Sequence, residues 1–130
     1  MSLCASFGQQ VMIWGSQVST TGHSGRNLAE FHDFLLSGEG HWWGEGQLAV
    51  KVANARNKHS YMHTPYLQGG IVQLHNGTWM LEYCRGIIPA LLPFGVGDTI
   101  FSSMDLVTLF KSIKAYGSMT VREILENGKI

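Results

Sequence analysis

Gly38 to Gly46, GEGHWWGEG, is the stretch richest in groups that could do chemistry. Trp42 and Trp43 offer flat apolar faces, and Glu39, Glu45 and His41 set titratable groups beside them. Indole faces stack on rings and attract cations. An imidazole next to a carboxylate can also move a proton. Glu39, His41, Trp42, Trp43 and Glu45 are therefore the candidate site, suited to a small amphipathic, cationic or ring-shaped ligand. The plainer reading is that one tryptophan closes the core while the glycines let the chain turn.

Other groups carry weaker signals. The six histidines are His23, His32, His41, His59, His63 and His75. His59 and His63 would share a helix face, as metal ligation can use. Pro65 disfavours that helix, and in a strand the same spacing holds the two Cα atoms about 13 Å apart. No metal site and no cofactor are expected. Cys4 or Cys84 could act as a nucleophile if folding brought a histidine and an acid to it. A free cysteine is more often a small buried hydrophobe, and two cysteines make no disulfide framework. The segment TTGHSGRN, with Arg26, could hold an anion at a following helix, but it fits neither the P-loop nor the dinucleotide fingerprint.

Composition removes further classes. The chain has 130 residues, a formal charge of zero and 14% charged residues, against roughly 25% in ordinary domains. Phosphate-backbone binding needs clustered Lys and Arg, so nucleic acid is not an expected partner. Low charge with 45% hydrophobic residues leaves little to keep a surface wet and repulsive, so self-association is expected. There is no secretory signal and no apolar run of 18 residues, which makes a cytoplasmic location without a membrane partner the default.

The elements that must position these groups centre on Gly69 to Cys84, GGIVQLHNGTWMLEYC. Asn76-Gly77 between two apolar runs predicts a hairpin with a type I′ turn. Leu74 would then face Trp79, Val72 face Leu81, and Gly70 face Tyr83, on one apolar side. His75, Thr78, Gln73, Met80, Ile71 and Glu82 would take the mixed side.

Along the rest of the chain, residues 7–14 read as a strand and 16–25 as a loop. Leu28, Phe31 and Leu35 predict a helix over 27–36. Alternation over 47–55 favours a strand, and 58–67 reads as another ending before Pro65. Prolines and glycines exclude a regular helix from 86–97, and 98–101 reads as a short strand. A helix over 104–116 is capped by Ser103 and stopped by Gly117, with Leu106, Leu109, Phe110 and Ile113 inward. A last helix spans 121–126. The uncharged run 86–97 supplies the candidate homodimer interface: Ile88, Leu91, Leu92 and Phe94.

One α+β domain results, with an antiparallel sheet of four to six strands packed against two main helices. Three functions suit it. The first is a non-enzymatic, dimeric small-molecule-binding domain. The second is a small hydrolase or isomerase using His41 with Glu39 or Glu45. The third is an adaptor that docks another protein.

Overall fold

The computed structural model describes residues 2–56, 60–98, 100–101 and 104–128. Nine strands are found among them: β1 Ser2–Ala5, β2 Gln9–Ser16, β3 Thr20–His23, β4 Ala29–Ser37, β5 Glu39–Gly44, β6 Lys51–Asn54, β7 Tyr61–Thr64, β8 Gly70–Leu74 and β9 Thr78–Gly86. A short 3₁₀ turn, Ile88–Leu91, leads into α1 (Leu92–Asp98), and α2 spans Leu106–Asn127. The strands form two antiparallel sheets, one of five in the order β1-β2-β9-β4-β7 and one of four in the order β3-β8-β5-β6. The architecture matches the expected α+β class of antiparallel sheet and two helices, with the strands divided between two sheets where one was expected. The core joins the inner faces of both sheets: Leu35, Met62 and Met80 from one meet Trp42, Ala53 and Leu74 from the other.

The expected hairpin is not formed. β8 lies in the four-stranded sheet between β3 and β5, while β9 lies in the five-stranded sheet between β2 and β4. The turn itself exists, with the Thr78 amide donating to the His75 carbonyl at 3.2 Å. Gly77 alone takes positive φ, at 73°, and Asn76 does not. That is the pattern of a type II rather than a type I′ turn. It turns a corner from one sheet to the other. Thr78, fully buried, fastens that corner. Its hydroxyl donates to the carbonyls of His75 and Glu39, at 2.6 and 2.9 Å, as alternative acceptors.

The corner reverses the expected facing of β9. Thr78, Met80, Glu82 and Cys84 point inward, while Trp79, Leu81 and Tyr83 take the outer face. Of the expected inner set on β8, Gly70 and Leu74 are buried and Val72 is partly buried against the core.

The helix expected over 27–36 is the strand β4. Phe31 and Leu35 suit either period, but Ala29, Asp33 and Leu35 are buried in alternation, which is the strand's period of two. The loop expected at 16–25 contains β3. Residues 86–97 do hold helix: Pro89 sits in the first turn of the 3₁₀ segment, and Pro93 near the start of α1, where a missing N–H costs nothing. Of the expected strand 98–101, Asp98 closes α1 and neither 100 nor 101 lies in a strand, while 99 lies outside the described residues. Helix α2 runs through Gly117 without stopping and absorbs the expected last helix. Its N-cap is Asp105, which accepts from the Thr108 amide at 2.9 Å. Ser103 lies outside the described residues. Leu106, Phe110 and Ile113 are exposed rather than inward. The helix meets the body through Tyr116, whose hydroxyl donates to the Ser6 carbonyl, and through buried Thr120.

Candidate functional site: a buried carboxyl pair between the sheets

Strand pairing places two acids side by side. β4 and β9 are neighbours, and their register puts Asp33 directly opposite Glu82. Residues opposite each other in an antiparallel ladder project to the same face. Here that is the inner face, and Asp33 and Glu82 are only 7% and 6% exposed. On the other side of β9, Met12 of β2 pairs with Glu82, and the next inward residue of that strand is Trp14.

The pair opens into a cavity of about 330 Å³, at the lower end of the small-ligand range. Trp14, Phe31, Met62 and Met80 line it from the five-stranded sheet, and Trp42, Val72 and Leu74 from the other. Thr20 to Ser24 and Asn27 form its rim. The wall is mostly apolar, with the two carboxyls as its strongest polar groups.

Burial dominates their electrostatics. Desolvation, then the charge of Glu82 and a hydrogen bond with it, raise the Asp33 pKa to about 8. Desolvation also raises that of Glu82, against the opposing influence of the Trp14 indole and of Asp33. The indole N–H lies near Glu82 without reaching hydrogen-bond geometry. Two close carboxyls in a dry site cannot both ionise cheaply, so near neutral pH the pair retains a proton.

Four polar atoms at this site have no hydrogen-bond partner among the described residues: Asp33 Oδ1, Glu82 Oε1, Trp14 Nε1 and Trp42 Nε1. An unpartnered buried polar atom costs free energy on the order of 1–3 kcal/mol. Four around one cavity mark a place built to receive polar atoms from outside the chain.

The sequence candidates divide between the faces of β5. Gly40, Trp42 and Gly44 are buried, whereas Glu39, His41 and Trp43 alternate onto the opposite side. Trp42 is 3% exposed and belongs to both the core and the cavity wall. Lys51 stands over its ring, with Nζ 4.9 Å from the centroid. Trp43 meets His41 edge-on. His41 Nε2 is 2.8 Å from Glu39 Oε1, so the expected imidazole–carboxylate pair exists, but away from the cavity. That contact, and then one from Asn54, lowers the Glu39 pKa. Glu45 joins Arg26 in an exposed ion pair.

Cys84 is buried, and desolvation followed by the charges of Glu82 and Asp33 pushes its thiol up to about 12. A thiol held neutral is a poor nucleophile. Cys4 is exposed. His63 faces Glu30, and His59 lies outside the described residues.

Of the candidate interface, Ile88 is 1% exposed and packs within this chain against Ala29 and Cys84. Leu91 is partly buried there as well, while Leu92 is exposed. The Phe94 side chain lies outside the described residues. No described helix is long and apolar enough to cross a membrane.

Asp33 and Glu82 escaped the sequence reading, which put Asp33 in a helix and Glu82 on the outer side of a hairpin. The available signal was an acid at every other position from an apolar residue, as in Phe31-Asp33-Leu35 and Met80-Glu82-Cys84.

Fold and site together define a two-sheet chain that encloses a small acidic cavity. The family model described as "ERG2 and Sigma1 receptor like protein" matches residues 1–128, and the chain belongs to this family. It is similar to Sigma non-opioid intracellular receptor 1 of Xenopus tropicalis, 40% identical over 125 residues, covering 94% of this chain and 55% of that protein. The Gallus gallus protein of the same name is 37% identical over 118 residues, covering 88% and 52%. Protein erg2 homolog of Dictyostelium discoideum is 29% identical over 128 residues, covering 98% and 54%. The chain thus spans about half the length of the curated relatives it matches.

Proposed function

We propose that this chain binds a small amphipathic molecule in the cavity between its sheets, with a cationic amine of the ligand at Asp33 and Glu82. The observation that carries the reading is the buried carboxyl pair, with an unpartnered oxygen on each acid, in a mostly apolar cavity. A protonated tertiary amine replaces the shared proton with a fixed positive charge, donates its one N–H to one acid and attracts the other by charge. The apolar arms of the ligand take the surfaces of Phe31, Val72 and Met80, and the indoles of Trp14 and Trp42 add attraction for the cation. Membership in a family whose relatives are named receptors supports small-molecule binding.

The test compares a tertiary amine carrying two apolar arms with its uncharged carbon isostere, by quenching of tryptophan fluorescence. The amine should bind and the isostere should bind at least tenfold more weakly. Equal binding of the two would remove the charge from the recognition.

A second reading rests on the elevated pKa of the pair. A carboxylic acid beside a carboxylate can protonate one carbon of an alkene and remove a proton from a neighbouring carbon. The double bond shifts, and one proton is gained for one lost. Deuterium from solvent should then enter a cavity-sized alkene, and Asp33→Asn should abolish that exchange.

Assembly is a separate part of the proposal. Homodimerisation would use the exposed Ile87 and Leu92, since Ile88 is occupied within the chain. Light scattering tests it directly, with a monomer as the contrary result.

A further inference from the structure

On the outer side of the four-stranded sheet, Glu39, His41 and His75 converge. Glu39 and His41 are two apart on β5 and therefore share a face. His75 directly follows β8, the neighbour of β5, and its amide donates to the Glu39 carbonyl at 3.0 Å. Each residue can offer one ligand atom such that all three lie within 4.8 Å of one another. His41 Nε2 is 2.8 Å and His75 Nε2 3.9 Å from the same oxygen, Glu39 Oε1.

From this arrangement we infer a binding site for a divalent transition-metal ion, of the two-histidine, one-carboxylate kind that zinc accepts. A tetrahedral zinc with bonds of about 2.0–2.1 Å holds its ligand atoms about 3.3 Å apart. The observed separations lie on either side of that value, so small side-chain rotations reach it. His75 Nε2 is shut off from solvent and has no hydrogen-bond partner among the described residues. A nitrogen in that state gives up no internal hydrogen bond when a metal ion binds. The two imidazole planes stand at 70°, with centroids 4.9 Å apart, so lone pairs lying in those planes can meet at one point. Asn54 donates to the second oxygen of Glu39 at 2.7 Å, leaving the first oriented towards the histidines. Such outer contacts fix a ligand's direction. With three protein ligands and half-exposed side chains, a fourth position stays open to water.

A second triad, Glu30, His32 and His63, also gathers within 4.8 Å. His63 Nε2, like His75 Nε2, has no hydrogen-bond partner among the described residues, but here the imidazoles are stacked nearly parallel, at 15°. Parallel rings do not aim their in-plane lone pairs at a common point. This triad therefore serves as the control. The first escaped the sequence because Glu39 and His75 lie far apart in the chain and become neighbours only through β5–β8 pairing.

The test uses the chain without a polyhistidine tag, stripped of metal and titrated with Co²⁺, whose visible d–d bands report coordination by nitrogen and oxygen. One equivalent should bind with a tetrahedral-type spectrum and be displaced by Zn²⁺. His41→Ala and His75→Ala should each weaken binding at least tenfold, and Asn54→Ala roughly tenfold, while His63→Ala leaves it unchanged. Glu39→Gln keeps the side-chain shape and should also lose the spectrum, which guards against misfolding of the alanine variants. No d–d spectrum in the unmodified chain, binding that survives loss of both His41 and His75, or binding that vanishes with His63→Ala would each overturn the assignment.

Discussion

Asp33 and Glu82 face each other across the β4–β9 ladder, and both are buried. Among the described residues no lysine or arginine lines their cavity, and His23 stands at its rim. The acids therefore depend on a retained proton, or on a cation from outside, to hold their charge in check. Stability and ligand binding should both respond to this arrangement.

The first consequence is a stability that falls as pH rises. Asp33 titrates near its ordinary value of 3.8 when unfolded and about 8 when folded. Between those values the folded chain holds more protons than the unfolded one, so its stability declines with pH. The contribution is fully present below the unfolded value, is lost through the window, and is level above about 8. Urea midpoints measured from pH 5 to 9 should decrease. A midpoint that rises through the window would contradict the burial of the pair.

Glu82→Gln separates stability from function. It removes a neighbouring negative charge, so the Asp33 pKa should fall and stability at pH 8 should hold or improve. A cationic ligand, in contrast, loses one charged partner. Hydrogen bonds to charged groups contribute about 1.5–3 kcal/mol, so its affinity should drop roughly 10- to 100-fold. Calorimetry of the variant with a tertiary amine reads the two effects together.

The tryptophans of β5 should be unequal. Trp42→Ala empties a core position and part of the cavity wall, and should cost roughly 3–5 kcal/mol. Trp43→Ala acts on the half-exposed face and should cost about 1 kcal/mol or less. Denaturant midpoints decide this. Equal losses would show that the two faces of β5 are not as different as their burial implies.

Gly38 tests the corner that joins the sheets. It has φ +79°, and a Cβ there would sit 2.4 Å from Thr78 Oγ1 and 2.6 Å from Thr78 Cα. Gly38→Ala should cost more than the roughly 1–3 kcal/mol of backbone strain alone. Gly77, at φ +73° with open space around it, carries only the strain, and Gly77→Val should cost within that range. Similar midpoints for the two variants would argue against a tight crossing at Thr78.

Part of the strand content was legible: β6 from the alternation over 47–55, β2 from its apolar cluster, and β7 from the polar and aromatic run before Pro65. The principal error came from a turn that is locally ambiguous. Asn76-Gly77 signals reversal, but only the surrounding sheets decide between a hairpin and a corner. Choosing the hairpin inverted β9 and sent Glu82 outward. Phe31 and Leu35, four apart, fit a helix as well as a strand, and that ambiguity concealed Asp33. The candidate site was half visible for the same reason. Trp42, singled out for its chemistry, stands in the cavity wall, whereas two acids on an inner face run against the ordinary expectation that carboxylates are solvated.

The most direct test of the account is the titration of the carboxyl carbons of Asp33 and Glu82 by ¹³C NMR. The account predicts that one member of the pair stays protonated through neutral pH and titrates near 8. A protonated amine ligand should shift that titration downward. Both carboxyls titrating in the ordinary range of about 4, with no response to the amine, would contradict it.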